Sequence, residues 1–252
     1  MVTRPIGERD LLCGAIDLTG AVLAQRRELT DDFAWVALHH LAVAHRDAQG
    51  ILALCDQALS DVSLLLVRRL WENTIRLEFI RQEPQPRSRE FLEEAWVEEY
   101  RMLSKARRRA ETASTVAQSL LSDPRAREKL ETLEAQKELV SKSARQRAEA
   151  LGSRPLWSLR EMAQAVGVDE QYEFLYSFLS QRGHAGADLA KDYWREGPQG
   201  TLRTAFSDYS GMALGMACAW LLHLGMVFVE QYDPARAEGF SQLLSELAAG
   251  AD

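Results

Sequence analysis

Seven prolines, at positions 5, 84, 86, 124, 155, 198 and 234, constrain this chain more than any other feature. Proline removes a backbone donor and clashes with the preceding turn, so each marks an end or a first turn of a helix. None lies between Ile6 and Glu83. That stretch is rich in Leu, Ala, Arg and Glu at helical spacing, and no alternating run of β-branched residues occurs anywhere. The pattern predicts an all-α protein without a sheet. Expected helices cover Glu8 to Arg27, Asp31 or Asp32 to Leu59, and Val62 to Arg81 after a Ser60 or Asp61 cap. A loop at Glu83-Pro84-Gln85-Pro86-Arg87 is expected to close the third.

Beyond it the chemistry of the chain shifts. Residues 101–150 carry 12 Lys/Arg against 7 Asp/Glu, a net of +5 within a chain of net −7. Asp123-Pro124 reads as a turn, and Leu130, Leu133, Val140 and Ala144 form a narrow apolar row. The expectation is a single helical domain over 1–252, a bundle from which residues 89–151 project as a long antiparallel two-helix arm. Arg101, Lys105 and Arg108, at i, i+4 and i+7, are the candidate phosphate contacts if the arm binds RNA. The alternative is a solvated, salt-bridged hairpin.

Ser158-Leu-Arg-Glu161 has capping-box spacing and opens a short helix that stops at Gly167. Asp169 caps the next, to Arg182; Gly183 to Gly200 reads as irregular. A long apolar helix is expected from Thr201 to Asp233-Pro234, then an amphipathic one over Ala235 to Leu247. Met212 to Val229 has no charged residue over eighteen positions, the least that spans a bilayer. His223 near its middle and the absence of flanking cationic anchors favour a buried core helix and no membrane partner. Gly211 and Gly215 form a GxxxG, read here as close helix packing.

Three widely spaced cysteines, Cys13, Cys55 and Cys218, suit free thiols in a reducing cytoplasm. There is no Gly-rich phosphate loop, no GxSxG elbow and no Glu-x-x-His ligand pair. His39, His40 and His45 read as structural residues, and neither a metal nor a cofactor is expected.

Two helices carry polar pairs inside apolar stripes. Leu65, Arg68, Glu72, Ile75 and Phe79 share one face, which makes Arg68 and Glu72 i, i+4 partners. Tyr172, Tyr176, Ser180 and His184 repeat at i+4 on the later helix, with His184 at its fraying end. Arg68-x-x-x-Glu72 followed by Asn-Thr-Ile-Arg-Leu-Glu-Phe-Ile, with Ser158 to Val168 and Tyr176-x-x-x-Ser180-x-x-x-His184, resembles two signatures of a bacterial family. It is domain of unknown function family five-six-seven-seven, and the resemblance runs over roughly residues 35–230. It implies an all-helical protein in the style of abortive-infection and HEPN proteins, a group rich in metal-independent ribonucleases. No histidine here follows an Arg at the four-to-six-residue separation of the HEPN motif.

Two functional readings follow. In one, a metal-independent endoribonuclease of phage defence or toxin type uses Arg68, Glu72, Ser180 and His184, with Tyr176 and the basic arm holding RNA. His184 would then move the ribose proton, and Arg68 would stabilise the phosphorane. In the other, a non-enzymatic helical binding or scaffold module uses the same residues as a structural polar network. Its partner would be a protein or a second copy of the chain.

Overall fold

The computed structural model describes residues 7–111, 115–137, 139–149, 157–183, 194–196, 202–204 and 208–250. The architecture is all-α, as the prolines require. Helices α1 (Glu8–Leu23), α2 (Asp32–Asp56) and α3 (Ser60–Gln82) are followed by α4 (Pro84–Glu111), α5 (Thr115–Ser122), α6 (Pro124–Gln136) and α7 (Lys142–Glu149). Then come α8 (Leu159–Ala165), α9 (Asp169–Gly183), α10 (Ser210–Tyr232) and α11 (Ala237–Ala249). Two three-residue strands, β1 (Trp194–Glu196) and β2 (Leu202–Thr204), pair antiparallel with Arg195 opposite Arg203. This ribbon replaces part of the irregular segment expected there. It also moves the start of the apolar helix from Thr201 to Ser210.

Contacts divide the chain into two compact units, residues 1–82 with 159–252, and residues 83–158. In the first unit α10 packs against α1, α2, α3 and α11, while α8 and α9 pack on α3. Phe33, Leu41, Leu64, Leu70, Leu221, Phe228 and Phe240 are fully buried there. The helix ends have local causes. Asp31 caps α2, accepting from the Ala34 amide at 2.8 Å. The α2 end is a Schellman motif: Ala58 sits at φ +57°, Leu59 N donates to Leu54 O and Ala58 N to Cys55 O. α1 stops at Leu23, short of the expected Arg27. Outside the helix Arg27 reaches Asp233 at 2.6 Å and lies 5.0 Å over the Phe228 ring.

α10 is the one described helix long and apolar enough to cross a membrane, and 61% of its apolar window is buried inside the protein. Its GxxxG is not a helix crossing. A Cβ at Gly211 would meet nothing within 4 Å, and one at Gly215 only the Glu8 side chain at 3.9 Å. The close approach is at Gly225, where a Cβ would lie 2.1 Å from the Phe240 ring.

The second unit differs from the expected two-helix hairpin. It holds four helices: α4, α6 and α7 enclose Trp96, Val97, Leu103, Leu130, Leu133, Ala144 and Ala148, and α5 packs on α4 and α6. Trp96 donates its indole N–H to Leu133 O at 3.1 Å, and its ring stacks on Tyr100. The expected loop at 83–87 is the first turn of α4. Proline fits there because the first-turn amides of a helix have no intrahelical acceptor to lose.

Candidate functional site

Four of the five residues singled out on α3 and α9 meet. Arg68 Nε donates to Glu72 Oε1 at 2.8 Å, and Arg68 Nη1 donates to Ser180 Oγ at 3.1 Å. The guanidinium lies 4.2 Å over the Tyr176 ring. Helical geometry explains the convergence. Arg68 and Glu72 are one turn apart on α3, and Tyr176 and Ser180 one turn apart on α9, which packs on α3. The side chains of Arg68 and Glu72 remain 22% and 18% exposed. Burial opposes the Arg68 charge, but the contacts with Glu72 and Tyr176 outweigh it and hold the guanidinium above its usual pKa. His184 lies outside the described residues.

The sequence reading names Tyr172 and Tyr176 but not the aromatic run to which they belong. Tyr176 contacts Tyr172 with centroids 5.0 Å apart, Tyr172 stacks on Trp71 at 5.8 Å, and Trp71 stacks on Trp220 of α10 at 6.0 Å. A continuous run of rings thus joins α9, α3 and α10, with Arg68 at its end. Burial raises the Tyr172 phenol, so it stays neutral. Tyr172 was visible as the i−4 neighbour of Tyr176. Trp220 had no local signal, because it reaches Trp71 only through the fold.

The expected α3 stripe is corrected at one end, where Leu65 is exposed. α3 is packed on by α2, α8, α9 and α10, so its buried residues spread around the helix. A deeper ion pair sits beside it. Asp47 of α2, 1% exposed, takes both Arg69 Nε (2.7 Å) and Arg69 Nη2, while Arg69 is 58% exposed. The arginine thus closes a buried carboxylate from the outside. Asn73 donates to His40 O at 2.8 Å.

The histidines have individual partners. His40 Nδ1 donates to Val36 O at 2.8 Å, and burial pushes its pKa down to about 4. His45 pairs with Thr19 at 2.8 Å, and burial lowers it too. His223, the residue that interrupts the apolar run, pairs with Glu78 of α3 at 2.7 Å. Burial opposes the Glu78 charge, yet His223 and Arg81 hold its carboxyl below the usual range. Among the described residues no group of three or more His, Cys, Asp or Glu side chains could hold a metal ion.

In the second unit, Arg101 has its Nε buried, whereas Lys105 and Arg108 are exposed. The three therefore do not form a single solvent-facing basic row. Neighbouring cations are paired, Arg107 with Glu134 at 3.1 Å and Lys129 with Glu99 at 2.9 Å.

Residues 34–201, two thirds of the chain, match a family described as a family of unknown function (DUF5677). No curated protein and no solved structure matches the chain.

Proposed function

The chain belongs to DUF5677, and on that footing we propose that it is a non-enzymatic helical binding module of the cytoplasm. In it the Arg68 cluster clamps α9 to α3. The observation that carries this reading is the engagement of Arg68 by its own chain on two edges and one face. Its Nε is taken by a carboxylate, its Nη1 by a hydroxyl and its face by a tyrosine ring. An arginine that stabilises a phosphorane needs donors aimed at the place where charge develops. Here the Nε donor and one Nη1 donor are aimed at protein atoms, and Glu72 supplies the anion that a phosphate would have to displace. The ring run supports the same reading, since each ring has neighbours within the run rather than standing apart as a base-stacking platform.

Metal-independent RNA cleavage is the second reading, favoured by the convergence and partial exposure of Arg68, Glu72, Tyr176 and Ser180. In that chemistry His184 takes the proton of a ribose 2′-hydroxyl. The 2′-oxygen attacks phosphorus, the 5′-oxygen leaves and is protonated, and a 2′,3′-cyclic phosphate remains.

The test is incubation of the full chain with structured and single-stranded RNA in a chelator, with His184→Ala alongside. The binding-module reading expects no cleavage by either protein and equal growth of cells expressing them. Chelator-resistant cleavage that disappears in His184→Ala at unchanged melting temperature would replace it with the second reading.

A further inference from the structure

The residue 83–158 unit has a groove of about 280 Å³ lined by Arg89, Leu92, Trp96, Gln136, Leu139 and Val140, with Glu93 at its side. Leu139 is 79% exposed, the most exposed large apolar side chain among the described residues, and Leu92 is exposed beside it. We propose that this groove docks an acidic amphipathic helix of a partner protein. The inference rests on the binding-module reading and supplies its surface.

Three observations select that partner. The first is volume. A drug-sized ligand takes roughly 300–1,000 Å³ of enclosed cleft, so this groove suits one or two apolar side chains of a larger partner.

The second is polarity. Glu93, the Trp96 indole and the Leu139 amide are already committed within the unit. Glu93 accepts from Ser141 N at 3.1 Å and Ser141 Oγ at 2.7 Å, the Trp96 indole donates to Leu133 O, and Leu139 N donates to Gln136 O. An extended peptide would find no ladder of free backbone groups there, whereas a helix satisfies its own backbone and presents only side chains.

The third is charge. Arg89 is 72% exposed, and its described anionic neighbour, Glu93, stands 4.0 Å away with both oxygens engaged by Ser141. The rim therefore offers a cation to an incoming carboxylate, next to an apolar floor that contains a tryptophan. Arginine and tryptophan are the residue types that anchor interfaces most often.

The experiment uses the full chain and two labelled synthetic helices of about four turns. Both carry leucines at i, i+3, i+4 and i+7; one has glutamates elsewhere and the other lysines. Fluorescence anisotropy is expected to show saturable binding of the acidic helix and at least about tenfold weaker binding of the basic one. Leu139→Asp should weaken the acidic helix by a similar factor, and Arg89→Glu should reverse the preference. Both positions are exposed, so an unchanged circular dichroism spectrum and melting temperature are expected for each variant.

No saturable binding, equal binding of both helices, or indifference to Leu139→Asp overturns the proposal. So does a chain dimer in sedimentation that Leu139→Asp abolishes, because the groove would then be a self-interface. A failed groove in a chain that also leaves RNA intact keeps the binding-module reading and moves its surface elsewhere.

Discussion

Arg68 and Arg69 are neighbours in sequence, yet they close charges of different depth, and their removal should differ accordingly. Arg69→Ala strands the carboxylate of Asp47, 1% exposed, inside α2 and α3. Loss of one partner of a fully buried pair costs about 3–5 kcal/mol; Arg69 is 58% exposed and its removal opens Asp47 to water, so Arg69→Ala is expected to cost about 2–3 kcal/mol by urea denaturation. Glu72 can rehydrate when Arg68 is lost, so Arg68→Ala should cost less, about 1–2 kcal/mol. Local spacing made the shallower pair legible, because Arg68 and Glu72 are one turn apart. Asp47 and Arg69 lie on different helices, and only the position of an aspartate among Ala44, Ala48 and Ile51 hinted at a buried carboxylate. His40 gives a pH prediction at the same scale. Its folded pKa of about 4 lies below the ordinary 6.5, so the unfolded chain binds the proton that the folded chain resists. Its contribution is complete above about pH 6.5 and is lost as pH falls towards 4, by about 3 kcal/mol at most. His40→Gln should remove that part of the pH slope. An unchanged slope would place the acid sensitivity elsewhere.

At the scale of elements, the helix ends and crossings make two opposite predictions. Ala58 holds the left-handed position that closes α2, where an L side chain is strained and glycine is not. Ala58→Gly should therefore raise stability by about 0.5–1 kcal/mol despite glycine's freer unfolded state. Gly225 is the reverse case. Any Cβ there collides with the fully buried Phe240 ring, and Gly225→Ala should cost about 1–3 kcal/mol through overpacking. Thermal unfolding of both variants checks the pair together. The element boundaries show where sequence patterns run out. Gly167 ends α8 at φ +75° as its glycine implied, with Val168 N bonded to Ala163 O. Pro84 and Pro86 suit a loop in sequence but open α4 in the structure, because a proline pair fits a break and a first turn equally well. The row Leu130, Leu133, Val140 and Ala144 keeps helical spacing through the break between α6 and α7, so periodicity could not see that break. The GxxxG spacing of α10 suggests close packing at Gly211 and Gly215, while the actual close contact, at Gly225, depends on where Phe240 arrives from α11.

Across the molecule, the two units should differ in local stability. α10 is packed by four helices, and its buried amides are expected to exchange at the rate of global unfolding. α5 and α7, eight residues each, pack on α4 in the smaller unit and should exchange earlier in the same mass-spectrometric experiment. Equal protection across both units would contradict this gradient. The all-α class and the pairing of Arg68 with Glu72 are legible in the sequence. The packing between helices, which sets the ring run from Tyr176 to Trp220 and the ion pair at Asp47, is not. If Arg68 clamps α9 to α3, a double-mutant cycle reads the coupling between them. Stabilities of the intact chain, Arg68→Ala, Tyr176→Ala and the double variant give the coupling between the guanidinium and the ring. A clamp predicts a coupling of about 0.5–3 kcal/mol, with each single variant less stable than the parent. Additive effects, with a coupling near zero, would exclude the clamp, and RNA cleavage lost with Arg68→Ala would assign the cluster to catalysis instead.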